Sequence, residues 1–463
     1  MKPHLPSVTL CAIDTTPKAR LAVRAIEKCL EQAEFGAVKL LTHDCEHPYA
    51  VRIPELKGLE AYSNFMVREL WKHFTTSHCL VTQWDGYVTN GEAWTDEFLK
   101  YDYIGAPTWT PQRWVGNGGF SLRSRRLCEA ISKMEPELSA HPEDAFICLR
   151  HRVALQSMGF KFAPNDLADR LSFEGRAYDG IEWRGTQNFY AGSFGFHSYL
   201  SRLPFKDRPR VYHHSGEWGD VLYSLPVIAS KGDGVLFLSE DNKFPYPRPT
   251  REKASPKWVD NIKPLLEVQP YIWRAQFTHG TPPSTDFDLN RFRLPWKEHS
   301  ARDNDSILKL HCDAFGVKWD ETQPWLTVDE VWPVPGRPIC VSRSARYHND
   351  AFGWDKLVAR YGEKMFFIGT EQEAHIFQGF GAPNLEIPWM PAANLLEAAR
   401  YIAGAKVFLG NQSSPLAIAH GLCKNCVVEE WQGNPNCRMN RPNAIYSIEG
   451  KKFAVEIPED WLK

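Results

Sequence analysis

No stretch of the 463 residues reaches the eighteen or so apolar residues that a membrane span requires. Lys2-Pro3-His4-Leu5-Pro6 lacks the apolar centre of a signal peptide. These absences predict a cytoplasmic protein, which can still meet a lipid-linked acceptor at the inner face of the membrane. Excess charge is missing too, with 54 Lys and Arg against 56 Asp and Glu. Bulk attraction therefore gives no reason to expect nucleic-acid binding. The eleven Cys have no regular spacing. The closest pair, Cys423 and Cys426, finds no second pair or nearby His set to complete a zinc site. Reduced, mostly buried thiols are expected. What the chain has in excess is aromatic, with 17 Trp and 13% Phe, Trp and Tyr. Large cores explain one part of that excess. Sugar binding would explain another, because the apolar faces of sugars stack on aromatic rings.

The length predicts two or three domains. Strand-like and helix-like segments alternate from the start. Ser7 to Asp14 reads as a strand, and a helix opens at Thr16-Pro17 with Leu21, Ala25, Ile26, Cys29 and Leu30 on one face. Ala37 to Thr42 is a second strand, Tyr62 to Phe74 a helix, and Cys79 to Thr82 a third strand. This order predicts a parallel sheet with its ligand beyond the carboxyl ends of the strands, the edge where Asp14 and Asp85 fall. Residues 202–210 are polar with two prolines and read as a linker. The pattern restarts at Val211 to His214, with a helix over Asp220 to Ala229 and a strand at Gly234 to Leu238. It restarts again at Ile339 to Ser342, followed by three more strands at Lys364 to Gly369, Val407 to Gly410 and Cys426 to Glu429. The Pro- and aromatic-rich residues 244–296 have no clear assignment.

Three groups of residues carry chemistry in the first part. Asp85 ends an apolar run and offers a hard oxygen ligand, and His197 is placed to complete a divalent-metal site. The turn Asn117-Gly118-Gly119 lets backbone approach a sugar or phosphate. Glu143-Asp144 is a paired acid at a helix start, able to take a proton from an acceptor hydroxyl or merely to favour the first helical turn. In the second part, Gly216 and Gly219 allow a tight strand-to-helix turn. That puts Asp220 either in a basic role or in a helix cap. Arg343 and Arg346, after a strand, are candidates to neutralise a diphosphate without metal.

The strings Gln83-Trp84-Asp85-Gly86, Tyr101-Asp102-Tyr103-Ile104-Gly105-Ala106-Pro107, Gly116 to Arg123, Glu143-Asp144 and Phe194 to His197 resemble a bacterial family of little-characterised GT-A-type glycosyltransferase domains, across about residues 7–200. GT-A enzymes usually carry Asp-x-Asp at the metal, and this chain has Gln83 in the first position. Gly219-Asp220-Val221-Leu222 with Leu225-Pro226, Phe366 to Glu373, and Ala399 to Leu422 resemble the ADP-heptose:lipopolysaccharide heptosyltransferases, of GT-B fold, across about residues 208–440. That resemblance implies a catalytic base at Asp220. It also implies a diphosphate site at the helix that begins after Asn411, with Ser413, Ser414 and, more weakly, His420. The family has an acid in that turn and a Gly where this chain has Pro415.

The expected fold is α/β, a GT-A-like nucleotide-sugar domain at residues 1–205 followed by a compact GT-B-like pair of Rossmann-like lobes at 208–335 and 336–463. The expected activity is sugar transfer, hexosyl or heptosyl, from a nucleotide-sugar donor to a bacterial glycan or lipid-linked acceptor. A divalent metal, Mn or Mg, is expected in the first module and none in the second. Nucleic acid is not an expected partner. The competing readings are a single active module, or a carbohydrate-binding scaffold built from degenerate transferase folds.

Overall fold

The computed structural model describes residues 2–16, 18–107, 115–174, 192–197, 210–240, 255–281, 285–294, 305–382, 384–431, 433–447 and 456–462. The chain divides into two compact units, Met1–Arg208 and Pro209–Lys463. Most of the expected linker, residues 202–210, lies outside the described residues.

The first unit is built on six strands: β1 (His4–Ile13), β2 (Glu34–Thr42), β3 (Ala50–Arg52), β4 (His78–Thr82), β5 (Tyr103–Gly105) and β6 (Ser121–Ser124), in the spatial order β3-β2-β1-β4-β6-β5. The first four are mutually parallel, and β6 runs antiparallel to both β4 and β5. β1 is flanked on both sides, and its residues Val8 to Ile13 are all buried, as the interior strand of a covered parallel sheet requires. The helix Ala19–Gln32 buries Leu21, Ala22, Ala25, Ile26 and Cys29 along one face. The helix expected over 62–74 instead runs Gly58–Arg68, with a tighter turn at Leu70–His73. Arg68 closes it by donating to the carbonyls of Met134 (2.6 Å) and Glu135 (2.8 Å). A separate parallel pair, β7 (Ser172–Glu174) and β8 (Gly195–His197), brings His197 into the unit.

The second unit holds two parallel sheets. One contains β9 (Arg210–His214), β10 (Gly234–Ser239), β11 (Ile272–Thr278) and β12 (Phe287–Asp288), in the order β11-β10-β9-β12. The other contains β13 (Ile339–Ser342), β14 (Met365–Phe367), β15 (Val407–Asn411), β16 (Asn425–Glu429) and β17 (Ala444–Tyr446), in the order β14-β13-β15-β16-β17. The segment without a sequence assignment supplies β11, β12 and the helix Pro256–Glu267, which opens with Pro256 behind a Ser255 cap. Its aromatic and proline content had hidden that start.

One buried cluster joins both sheets, running from Tyr212, Val221 and Leu236 to Cys340, Phe408 and Ala417. Its centre is the helix Trp218–Lys231, buried without a break from Val221 to Ile228. That helix contains Pro226, which cannot donate to the carbonyl four residues earlier. The carbonyl in question, Leu222, accepts from the Trp325 indole N–H at 3.0 Å instead. The defect in one element is thus satisfied by a side chain from another.

Candidate functional site

Open parallel sheets bind ligands beyond the carboxyl ends of strands, where the strand order reverses. Each sheet here has one such reversal, between β1 and β4, between β9 and β12, and between β13 and β15. Most of the singled-out residues lie on these three edges.

Asp14 follows β1 and Asp85 follows β4, whose Ala12 and Thr82 are paired. The Asp14 carboxylate closes its own turn by accepting from the Thr16 N–H at 2.8 Å and hydroxyl at 2.7 Å. Burial raises its carboxyl above the ordinary range, against those bonds and the Lys18 charge. Gly86 has no room for a side chain, because a Cβ there would come within 2.6 Å of the Phe196 carbonyl oxygen. That close approach seats the Asp85 turn against β8. His197 Nε2 lies 3.5 Å from Asp85 Oδ1 and 3.1 Å from Gln83 Oε1. Gln83 Nε2 donates to the Tyr62 hydroxyl at 2.8 Å, which turns the amide oxygen towards His197.

The glycine turn is built into the same place. A Cβ on Gly119 would meet His197 Nε2 at 2.1 Å, and one on Gly118 would meet Glu143 Oε1 at 2.3 Å. Asn117 Oδ1 accepts from the Gly119 N–H at 2.9 Å. Glu143 is buried and faces Arg123 Nη2 at 3.4 Å. Arg123, also buried, donates to the Gly118 carbonyl at 3.2 Å. The two acids of the pair therefore differ: Glu143 is the counter-ion of a buried guanidinium under the turn, and Asp144 is half-buried with its Oδ1 on the Ala145 N–H at 2.7 Å. Among the described residues no group of three or more His, Cys, Asp or Glu side chains gathers for a metal ion. Asp85 and His197 form a two-donor set, with the Gln83 amide oxygen beside it.

At the second edge, the helix that carries Asp220 starts at Trp218 behind Glu217, and no side chain caps it. The capping role allowed by the sequence is not the one found. Asp220 Oδ2 instead accepts from Arg293 Nη2 at 2.6 Å, across 73 residues of sequence. Gly216 is where they meet: a Cβ there would lie 2.5 Å from His214 Cε1 and 2.8 Å from both Arg293 Nη2 and Asp220 Cβ. His214 Nδ1 accepts from the Gly216 N–H at 2.8 Å, which leaves the proton of the neutral ring on Nε2. Burial, then the charges of His311 and Arg293, hold His214 well below the usual histidine range. Burial and Arg293 do the same to His311, whose ring stacks on Phe292 at 3.9 Å. No hydrogen bond of ordinary geometry reaches His214 Nε2 or either ring nitrogen of His311 among the described residues. On the far side of the edge, His213 bridges Ser239 Oγ (2.8 Å) and Asp288 Oδ1 (3.3 Å).

At the third edge, Arg343 is held bidentately by the fully buried Glu429, at 2.8 and 3.0 Å. Glu429 also accepts from the Asn349 N–H (2.8 Å) and the Trp354 indole (2.9 Å). Arg346 is exposed at the same edge. Asn411, fully buried, accepts from the Ser344 N–H at 3.0 Å and donates to the Ser344 and Arg346 carbonyls. It shapes the loop after β13. Ser413 is the cap residue of the helix Ser414–Gly421, and Pro415 sits harmlessly in its first turn. His420 lies at the other end of that helix. Its Nδ1 meets the Tyr223 hydroxyl at 2.8 Å and its Nε2 the Tyr446 hydroxyl at 3.2 Å. With both nitrogens engaged and the ring buried, His420 joins three elements rather than the helix start.

Sequence reasoning did not single out His213, His214, Asp288, Arg293 or Glu429. The His213-His214 pair ahead of Gly216 was the one available signal. Arg293 lies in the unassigned segment, and nothing local marks Glu429.

Residues 50–197, which include Asp85, Gly118, Glu143 and His197, match the family model described as "Protein of unknown function (DUF5672)". No curated protein matches the sequence. Among solved structures, the chain is similar to a glycosyl transferase family 9 protein from Veillonella parvula, at 12% identity over 52% of this chain and 86% of that one, with a TM-score of 0.33. It is also similar to the iron-containing dodecameric glycosyltransferase TibC of enterotoxigenic E. coli, at 18% identity over 54% and 65%, TM-score 0.33. A third is E. coli heptosyltransferase WaaC with ADP-2-deoxy-2-fluoro heptose, at 12% identity over 51% and 92%, TM-score 0.29.

Proposed function

We propose that this protein is a glycosyltransferase with two modules, each taking a nucleotide-sugar donor, and that its acceptor is a bacterial glycan or glycoconjugate. The observation that carries the reading is the location of Asp14 and Asp85, of Asp220 and Arg293, and of Arg343 and Arg346: each pair lies at the edge of one of the three larger sheets where the order of parallel strands reverses.

In the first module Asp85 and His197 would hold a divalent cation, Mn or Mg. The fit is that of two donor atoms 3.5 Å apart, one a carboxylate oxygen and one an imidazole nitrogen, beside a neutral amide oxygen. Bound there, the cation would neutralise charge on a departing diphosphate. The Asn117-Gly118-Gly119 turn makes room for His197 and Glu143 beside the donor, and the half-buried Asp144 would take an acceptor proton. Asp14 binds the donor from the end of β1.

In the second module no metal is needed. Asp220 accepts the proton of an acceptor hydroxyl through Oδ1, while Arg293 holds Oδ2. The N–H groups at Ser413 and Ser414, with Arg346, receive the diphosphate. Arg343 and Asn411 hold the shape of that edge through Glu429 and the Ser344 loop.

The test is calorimetric titration of the full chain with a panel of nucleotide sugars, followed by turnover with and without manganese. Binding and donor hydrolysis or transfer are expected. Binding with no turnover under any condition would instead favour the scaffold reading.

A further inference from the structure

We infer that Trp431 and Tyr347 form the platform on which the base of a nucleoside diphosphate stacks, with its phosphates directed to Arg346 and the Ser413–Ser414 turn. The inference rests on the proposed donor site in the third sheet and names its other end.

Three loops leave the carboxyl ends of the neighbouring strands β13, β15 and β16, and side-chain amides tie them into one surface. Gln412 Oε1 accepts from the Trp431 N–H at 2.8 Å. Asn349 Nδ2 donates to the Glu430 carbonyl at 3.0 Å. Asn411 Nδ2 reaches the carbonyls of Ser344 and Arg346. All three amide side chains belong to buried residues. What these tied loops present is aromatic. The Tyr347 and Trp431 ring centroids lie 5.5 Å apart, and Arg346 Cζ lies 5.3 Å from the Tyr347 ring centre.

Trp431 is 39% exposed, and among the described residues only Trp389 is another tryptophan counted with the exposed large apolar side chains. Exposing an indole forfeits burial that the other core tryptophans obtain. The indole is also backed by Gly433, where a Cβ would come within 2.5 Å of Trp431 Cζ2. It is therefore braced on one side. Tyr347 sits at φ 60, in the left-handed region that a bulky residue rarely adopts. An exposed indole face, with the Tyr347 ring inclined to it at 42° and a guanidinium beside it, matches a planar base joined to an anion. Its place is the β13/β15 reversal, where a nucleotide is expected in such a sheet.

The experiment is calorimetry on the full chain with ADP, UDP, inorganic pyrophosphate and glucose 1-phosphate. Trp431→Ala should weaken the preferred nucleotide by about tenfold or more and leave pyrophosphate unchanged, and Trp431→Phe should restore most of the loss. Tyr347→Ala should act in the same direction. Unchanged nucleotide affinity in Trp431→Ala would overturn the inference while leaving the donor site standing. Equal losses for ADP and pyrophosphate would mean general damage, and a loss confined to glucose 1-phosphate would make the ring a sugar platform; both overturn it. If the parent chain binds no nucleotide at all, the proposed function itself fails.

Discussion

The first and second units meet the same electrostatic problem with different groups. In the first, Asp85 faces an imidazole, which a neutral amide oxygen also meets. In the second, Asp220 and Glu429 each face a guanidinium, at 2.6 and 2.8 Å. A guanidinium is always charged and needs no ion to arrive. An imidazole compensates a carboxylate only when protonated. The difference teaches where dependence on an added cation should appear. On the proposed reading it should be confined to the first unit, and the second should run with its own arginines and helix N–H groups.

The strongest way to break that contrast is at Asp220. Asp220→Asn keeps an oxygen for Arg293 but makes a poor base, so turnover by the second module should fall by about a hundredfold or more. The side chain caps no helix, but Arg293 loses its counter-charge, so melting should fall as well, by far less than turnover. Unchanged turnover would reduce Asp220 to an ion-pair partner. At the corresponding place in the first unit, Asp85→Asn should weaken manganese-assisted nucleotide binding by at least about tenfold. Equal nucleotide affinity with and without chelator in the parent protein would remove the cation from the scheme, and the contrast with it.

These two residues were legible because strand ends are legible. Apolar runs such as Cys79 to Thr82 and Val211 to His214 mark parallel strands, and an acid just beyond one lies at a ligand edge whatever the tertiary detail. Partners were not legible. Arg293 reaches Asp220 from 73 residues away and Glu429 reaches Arg343 from 86, and no spacing rule covers such distances. Arg343 illustrates the consequence. As a cation after a strand it suggested diphosphate binding, yet its guanidinium is fastened to a carboxylate of 0% exposure. His420 likewise suggested a donor contact by its motif, and burial between two tyrosines gives it a packing role. Gly118 and Gly119 were read as room for a sugar or phosphate and Gly216 as a tight turn, but the space above them is taken by Glu143, His197, His214 and Arg293, which only the fold reveals.

The comparison can be sharpened by acid. His214, His311 and His420 in the second unit are held neutral well below the usual histidine range, chiefly by burial. Unfolded histidine takes up a proton near pH 6.5. Below that point the unfolded chain binds more protons than the folded one, so stability is full above about pH 6.5 and falls as the pH drops. Each such histidine costs about 1.4 kcal/mol per pH unit until its folded value is reached. Chemical denaturation from pH 7.5 to 5 should show this slope. His311→Phe keeps the stack on Phe292 and removes the two buried ring nitrogens, so the slope should lessen. An identical slope in the variant would mean that His311 is protonated in the folded protein.

A smaller effect is expected at the His420 junction. Tyr223→Phe removes the hydroxyl 2.8 Å from His420 Nδ1 and strands a buried nitrogen. The loss should be about 1–3 kcal/mol in stability, with nucleotide affinity unchanged. A fall in affinity without a fall in stability would return His420 to the donor site.

The smallest effect should come from cutting the chain between residues 208 and 209. Each unit has buried clusters of its own, Leu5 to Phe196 and Cys11 to Cys128 in the first, Tyr212 to Met439 and Ile339 to Ile457 in the second. Each unit is also long enough to bury a core without help. Among the described residues the sheets close within their units, so none of those strands loses a partner at the cut. Expressed separately, Met1–Arg208 and Pro209–Lys463 should each be soluble and melt cooperatively, at temperatures matching two transitions of the full chain. The cation requirement should then stay with the first piece and the arginine-based site with the second. If either piece is soluble only when co-expressed with the other, the units depend on a shared surface, and the division of electrostatic labour must be read across both.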